Sequence, residues 1–167
     1  MFVNKSVSSF PSVTEIIFKN INKNYLKVIL LNIVLLFSGV LTGLFLIDFF
    51  NLFEEVHNYM YLIYITYTVV FIIITLLFFV GFKKRKFAVR EKDISYKRGI
   101  FFKKLTTVPF SRIQHIEVDE ALFSRFFKLA SLSVYTAGDS SDDLVIKGIT
   151  KKEALEIKEF ISQKINE

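Results

Sequence analysis

The sequence predicts a membrane protein of mixed α and β structure, in which a two-helix transmembrane hairpin precedes a small β-rich domain. Apolar residues make up 52% of the 167 positions and include 20 phenylalanines, more than a soluble core of this size requires. This excess is concentrated in residues 26–82, whereas residues 83–167 have the composition of an ordinary soluble domain. We therefore expect a cytoplasmic N-terminal segment over residues 1–27, two transmembrane helices within 28–82 and a cytoplasmic domain over 83–167.

Two uncharged segments are each long enough to cross a membrane. Residues 28–47 carry no charge, with Asn32 as the only strongly polar side chain, and residues 60–82 are also uncharged. A helix of about 20 apolar residues spans the ~30 Å hydrocarbon layer. Two buried helices of a soluble protein would need more covering residues than the chain has left. The first segment is also too long, and starts too late, for a signal peptide.

The charges that flank these segments predict their direction. Four lysines precede the first span, four consecutive basic residues follow the second, and the loop over residues 48–59 holds three acidic residues without Lys or Arg. Because basic flanks stay in the cytoplasm, we expect a multi-pass protein of the cell membrane with both termini inside. The flanking basic residues are Lys5, Lys19, Lys23, Lys27, Lys83, Lys84, Arg85 and Lys86.

The segment before the first span has the pattern of a short amphipathic helix. Ser12 and Glu15 have the spacing of a capping box, and apolar residues recur at helical spacing from Val13 to Ile21. Such a helix would lie at the inner membrane surface. A simple helical extension of the first span fits the pattern equally well.

Gly39 and Gly43 form a G-x-x-x-G stripe in the first span. Small residues four apart let another helix backbone approach closely. We favour packing against the second span of the same chain, with an interface to a second copy or a partner protein as the alternative. Asn32 is expected to face a helix rather than lipid, because an unpaired amide is unfavourable in hydrocarbon.

Alternating apolar and polar residues in the C-terminal half predict six or seven short strands. Their number and spacing favour a small sandwich or a partly open barrel. Thr150 and Glu153 form a second capping box, which predicts a C-terminal helix that covers an open end of the sheets. The predicted strands cover residues 87–89, 93–97, 100–104, 112–118, 131–136 and 144–147.

Three motifs follow one another in this domain: VPFSRIQ at residues 108–114, RFFKL at 125–129 and TAG at 136–138. Their order resembles the bacterial pleckstrin-homology-like (PH-like) domain family, and more narrowly its YdbS-type membrane proteins, which place two transmembrane helices before one such domain. The resemblance implies a bacterial membrane location, a seven-stranded PH-like barrel or sandwich with a C-terminal capping helix, and no enzyme activity. The motif residues are Pro109, Arg112, Gln114, Arg125, Thr136 and Gly138.

The chain departs from the family pattern in the segment 120–128. Lys128 stands where the family usually has Gly, and Ala121-Leu122 where Gly or Pro is frequent, so this segment is expected to be more helical. Arg112 and Gln114, two apart on a predicted strand, should project from one face. We favour a structural role for them, together with Arg125, in bonding backbone carbonyls, with a binding face as the alternative.

The sequence predicts neither catalysis nor a cofactor. It has no cysteine, no phosphate-binding glycine loop and no partner at metal-ligand spacing for His57 or His115. Asp139, Asp142 and Asp143 do not follow the spacing of a calcium loop. We therefore expect no enzyme activity, metal site or small-molecule substrate.

A basic hairpin over residues 97–104 is the candidate lipid-contacting element. Together with the basic residues after the second span, it could hold the domain on anionic lipid while Ile100, Phe101 and Phe102 enter the interface. The alternative is a solvated hairpin whose aromatic residues join the core or contact the helices. Nucleic acid is the weaker partner for a tethered basic domain. The candidate cations are Lys83, Lys84, Arg85, Lys86, Lys97, Arg98, Lys103 and Lys104.

Three functions fit these observations. The first is a membrane-anchored scaffold that assembles with a partner membrane protein, or with a second copy, in an envelope-related process. The second is a module that binds anionic phospholipids at the inner leaflet. The third is an accessory subunit of a transporter, although spans with one Asn and no charge do not form a transport pathway by themselves.

Overall fold

A computed structural model describes residues 16–136 and 144–166 of the chain. Two long helices joined by a short one come first, and most of the β-structure follows, as the predicted fold class requires. The helices are α1 (Tyr25–Phe49), α2 (Glu54–His57), α3 (Met60–Lys83), α4 (Leu122–Phe126) and α5 (Lys151–Asn166). The strands are β1 (Lys19–Asn20), β2 (Lys86–Val89), β3 (Asp93–Arg98), β4 (Lys104–Pro109), β5 (Ile113–Asp119), β6 (Leu129–Thr136) and β7 (Leu144–Thr150).

Helices α1 and α3 are each long and apolar enough to cross a membrane. Their most apolar windows have a mean hydropathy of 2.5 and 2.6, and no residue of the α3 window is buried within the protein. The two helices pack through Ile29, Ile33 and Phe37 of α1. Phe37 also lies 5.0 Å from Phe71 of α3, measured between ring centroids. Outside this seam both helices expose apolar side chains, which is the surface that lipid would cover.

The seven strands form two antiparallel sheets that enclose one apolar core. The first sheet has the order β1-β2-β3-β4, and the second has the order β5-β6-β7. Helix α5 packs against the second sheet and closes the core. Thr150 accepts a hydrogen bond from the backbone N–H of Glu153 at 3.2 Å, as the predicted cap requires. The core residues without any exposed surface include Ile94, Leu132, Val134, Ile146, Ile149 and Ile161.

The predicted amphipathic helix is wrong over the described part of the N-terminal segment. Lys19 and Asn20 instead form β1, which pairs with the first strand after the two apolar helices. Ile21 is only 4% exposed and belongs to the core of the domain. The isoleucine spacing fits a helix, but pairing with the free edge of β2 and burial of Ile21 favour a strand. Ser12 and Glu15 of the predicted cap lie outside the described residues.

A close contact connects the start of α1 to the second sheet. Tyr25 packs directly on Gly148 of β7, where an added Cβ would overlap the tyrosine ring. The backbone N–H of Asn22 donates to the Gly148 carbonyl at 2.8 Å, and Lys19 forms an ion pair with Glu153. The folded domain therefore includes residues from before α1 as well as residues from after α3.

Replacing Gly148 by Ala should destabilise the domain. Gly148 has a φ of +84°, which an L side chain rarely adopts, and the new methyl group would collide with Tyr25. We expect a loss of about 2 kcal/mol or more in the free energy of unfolding, measured by thermal melting of the full chain. Gly39→Ala is the control, because a Cβ there meets open space. Equal melting of the two variants would contradict the contact.

Several strand boundaries differ from the prediction: β6 begins at Leu129, β7 ends at Thr150, and two other segments differ more. The segment 100–103 is a loop, because Gly99 at φ +110° turns the chain and β4 begins only at Lys104. A short 3-10 turn that ends at Arg112 precedes β5, whose register shifts between Ile113 and His115. Arg112 and Gln114 therefore do not alternate on a regular strand. Both are exposed, so the favoured role in satisfying buried carbonyls is wrong for them.

Candidate membrane-facing site

The loop between β3 and β4 lies beside the end of α3. A Cβ added to Gly81 would approach Ile100 of this loop to 3.2 Å, so the two segments are in close contact. Gly99 sets the shape of the loop, because a Cβ there would overlap the carbonyl oxygen of Phe102. Phe101 and Phe102 are 78% and 92% exposed, respectively, and do not join the core. The hairpin tip, residues 99–103, thus presents two aromatic rings outside the protein.

The position of the hairpin tip along α3 is defined by the residues that it meets. Ile100 and Phe102 line a common crevice with Leu77 and Phe78. Leu77 precedes the last residue of α3, Lys83, by six positions, or about 9 Å of helix. The hairpin tip therefore lies alongside the last two turns of α3, where the helix is still apolar.

A second apolar projection lies at the corresponding end of α1. Helix α4 packs against α1, and the Lys27 ammonium lies 6.0 Å from the centre of the Phe127 ring. Leu122 and Phe126 on this helix are 69% and 77% exposed, respectively. Lys128, just after this helix, has a φ of +55°, a left-handed conformation that glycine adopts more readily than lysine. The hairpin tip and α4 thus flank the adjacent ends of the two apolar helices.

The predicted cations are concentrated near these projections. Among the described residues, none of the eight forms an ion pair with a carboxylate, whereas four other cations of the domain do. Some contact aromatic rings instead: the Lys83 ammonium lies 4.3 Å from the Phe79 ring centre, and the Arg85 guanidinium lies 5.8 Å from that of Tyr25. The ion pairs of the rest of the domain are Lys19–Glu153, Arg90–Asp93, Lys151–Glu120 and Lys152–Glu156.

The register of the first sheet places like charges opposite each other. Arg98 is the direct partner of Lys104 across β3 and β4, and Lys97 is the partner of Lys86 across β3 and β2. Like charges directly opposite each other destabilise a sheet unless an anion lies between them. Burial raises the pKa of the Tyr96 hydroxyl. The positive charges of Arg85 and Arg98 favour the ionised form of this hydroxyl and oppose that rise.

The glycine stripe of α1 faces away from α3. A Cβ added to Gly39 or Gly43 would meet nothing within 4 Å, so the favoured interpretation of packing within the chain is wrong. Asn32 is exposed as well, with its side-chain N–H donating to the Val28 carbonyl at 2.8 Å. Its expected contact with another helix is therefore absent from the described part of the chain. Seam residues on another face of α1 make the contact with α3 instead.

The remaining predicted residues are dispersed over the domain. Pro109 ends β4, Arg125 lies exposed on α4 and Thr136 pairs with Ile113 across β6 and β5. Gly138 lies outside the described residues. No group of three or more His, Cys, Asp or Glu side chains that could hold a metal occurs within residues 16–136 and 144–166.

Comparison with known proteins agrees with this architecture. The sequence profile of the bacterial PH domain family matches residues 27–165, which is most of the chain. The chain belongs to this family. The UPF0699 transmembrane protein YdbT of Bacillus subtilis (strain 168) is 32% identical over 85 residues, which are 49% of this chain and 17% of that protein. The chain thus matches less than a fifth of the length of this relative.

A solved structure gives a weaker likeness. It is the crystal structure of a DUF1696 family protein with a pleckstrin-homology domain from Shewanella loihica PV-4. The two chains are 24% identical, and the match covers 48% of this chain and 70% of the other at a TM-score of 0.37. Membership in the bacterial PH domain family therefore rests on the family profile, and it confirms the resemblance of the three sequence motifs.

Helix α4 was not predicted to be part of the site. Helical structure was predicted over residues 120–128, which α4 confirms, but no function was predicted for that segment. Two large apolar residues in a short helix, Leu122 and Phe126, could have indicated an interfacial element. Their exposure depends on how α4 packs against α1, and no local pattern encodes that packing.

Proposed function

We propose that the chain is a membrane-anchored, non-catalytic PH-like module that binds anionic phospholipid at the inner leaflet of the bacterial membrane. Helices α1 and α3 span the membrane, and both termini are cytoplasmic. The observation that carries this proposal is the hairpin tip, which holds Phe101 and Phe102 exposed beside the last two turns of α3. At that level of a spanning helix, exposed aromatic rings enter the interfacial layer of the bilayer.

The orientation is supported by charge on both sides of the spans. The basic residues before α1 and after α3, and the acidic loop between the spans, follow the positive-inside pattern. The Bacillus subtilis relative is named a transmembrane protein, which agrees with membrane insertion of this chain. The short α2 and the residues around it would then lie on the outer side.

The unpaired cations would add electrostatic attraction to this insertion. If half of the eight reach the lipid surface, roughly 1 kcal/mol each gives ~4 kcal/mol at low salt. Screening over a Debye length of about 8 Å at physiological ionic strength reduces this for any cation that lies further from the headgroups. Lipid binding should therefore weaken as salt rises.

Reversing two charges in the hairpin should make the protection of the hairpin tip independent of anionic lipid. We expect bilayers with phosphatidylglycerol to slow amide hydrogen exchange at residues 99–103 of the full chain, relative to phosphatidylcholine alone. Lys103→Glu with Lys104→Glu should abolish that difference. Lys92→Glu with Lys158→Glu is the matched control, since Lys92 lies at the opposite end of β3, about 20 Å from the tip. Equal exchange of the unsubstituted chain in both lipids would contradict the proposal.

Assembly with a second copy or a partner membrane protein is a second candidate. The supporting observation is the face of α1 that carries Asn32, Gly39 and Gly43, which no described residue of this chain covers. Nothing comparable favours an accessory role in a transporter.

Replacing Gly39 and Gly43 by Leu should separate the assembly without unfolding the monomer. The new side chains would meet open space within the chain, but they would keep a second helix away. Crosslinking in native membranes should show loss of the higher-mass species and an unchanged melting temperature. Val34→Leu with Val40→Leu, also exposed on α1, is the control. An unchanged crosslinking pattern would exclude this face as the interface.

A further inference from the structure

A crevice of about 440 Å³ lies between the end of α3 and the loop that joins β3 to β4. Its walls divide into an apolar part and a cationic part. Leu77, Phe78 and Phe102 form the apolar part, whereas Arg85, Arg98 and Lys104 supply three positive charges. No acidic side chain lines the crevice, and none of the three cations has a carboxylate partner among the described residues. This volume is in the range of small-ligand sites.

The cationic part has the arrangement of an anion site. Arg98 and Lys104 are direct cross-strand partners, so their side chains project to the same side of the sheet with their like charges unrelieved. Arg85 comes from the short connection after α3 and lines the same crevice as Arg98 and Lys104, so the three cations face one space. A phosphate between these groups would offset their repulsion, and the planar guanidinium can bind it through two hydrogen bonds.

The apolar part determines what kind of anion fits. Leu77 and Phe78 belong to the α3 segment that crosses the membrane in the proposed function, on which this inference rests. An anion without a hydrocarbon chain would leave this surface uncovered, whereas an acyl chain could run along it toward the bilayer centre. We propose that the crevice is a discrete site for one anionic phospholipid, with its phosphate at Arg85, Arg98 and Lys104 and an acyl chain against Leu77 and Phe78.

Native mass spectrometry of the delipidated full chain in detergent tests this site. We expect one phosphatidylglycerol to bind more tightly than any others, and phosphatidylcholine to bind weakly. Arg98→Gln with Lys104→Gln should weaken that first binding event about 30-fold, a factor expected from two lost charges. Lys92→Gln with Lys158→Gln is the matched control: it removes the same charge at positions that do not line the crevice and should change binding less than about threefold. The charge-preserving pair Arg98→Lys with Lys104→Arg should retain binding.

Folding is followed separately by the melting temperature without lipid. It should stay unchanged or rise in Arg98→Gln with Lys104→Gln, because like-charge repulsion is removed. A fall in that temperature, or equal weakening by both Gln pairs, would overturn a discrete site. Displacement of phosphatidylglycerol by millimolar inorganic phosphate would overturn the assignment to lipid.

The two proposals fail in different ways. If native mass spectrometry shows no single tight lipid-binding event but the hairpin tip stays protected from hydrogen exchange in bilayers, the discrete site is ruled out and the proposed function stands. If no bilayer slows amide hydrogen exchange at the hairpin tip, both the proposed function and the discrete lipid site are ruled out.

Discussion

Replacing Ile21 by Asp should unfold the PH-like domain, although this residue precedes both apolar helices in the sequence. Its side chain is 4% exposed and packs in the core with Phe87 and Ile149 among others. An aspartate there loses the apolar contacts and buries an unpaired carboxylate, for which we expect a loss of about 4 kcal/mol or more. Loss of β-structure in the circular dichroism of the full chain in detergent would measure it.

Ile17 supplies the control, because it has the same side chain four residues earlier and is 92% exposed. Ile17→Asp should change the free energy of unfolding by no more than about 0.5 kcal/mol. An amphipathic helix on the membrane would place both residues on its apolar face, so the two substitutions would then have similar effects. Similar effects of Ile17→Asp and Ile21→Asp would therefore contradict the pairing of β1 with β2.

Removing the aromatic rings of the hairpin tip should expose it to protease. Phe101→Ser with Phe102→Ser removes two side chains that are free of the core and that we place in the bilayer interface. If each contributes about 1.5 kcal/mol, the open form of the tip becomes more populated by a factor of roughly 150. Trypsin cleaves at the basic residues of this hairpin, and its rate follows that population when reclosing is fast.

The control for this experiment is Leu155→Ser, which removes a half-exposed apolar residue from α5. Cleavage of the hairpin by trypsin in bilayers should be unchanged in this variant. If trypsin cleaved the Phe101→Ser, Phe102→Ser variant in bilayers no faster than the unsubstituted chain, that result would show that the hairpin tip is solvated and does not contact the membrane.

Features encoded by local pattern were predicted from the sequence. The two long apolar helices follow from hydropathy alone, and the start of α5 follows from the capping residues Thr150 and Glu153. The helical segment near Leu122 follows from the absence of the glycine or proline that the family often has there. In each case neighbouring residues determine the structure, so a short window of sequence is sufficient.

Features that depend on distant residues were not predicted. Strand β1 exists because Lys19 meets Phe87, 68 positions later, and the local spacing of isoleucines suggested a helix instead. The orientation of Gly39 depends on which face of α1 meets α3. The crevice likewise requires Leu77 and Phe102 to come together, although nothing in either segment specifies the other.

Spin-label depth measurement reports the position of the hairpin tip in the bilayer. The chain has no cysteine, so single cysteines can be placed at Phe101, at Phe126 and, as the reference, at Lys92 without altering other sites. In phosphatidylglycerol bilayers, labels at residues 101 and 126 should respond to oxygen and be shielded from a water-soluble relaxation agent, at a depth of about 5–10 Å. The label at residue 92 should be fully accessible to that agent. Equal accessibility at residues 101 and 92 would contradict insertion of the hairpin tip into the bilayer.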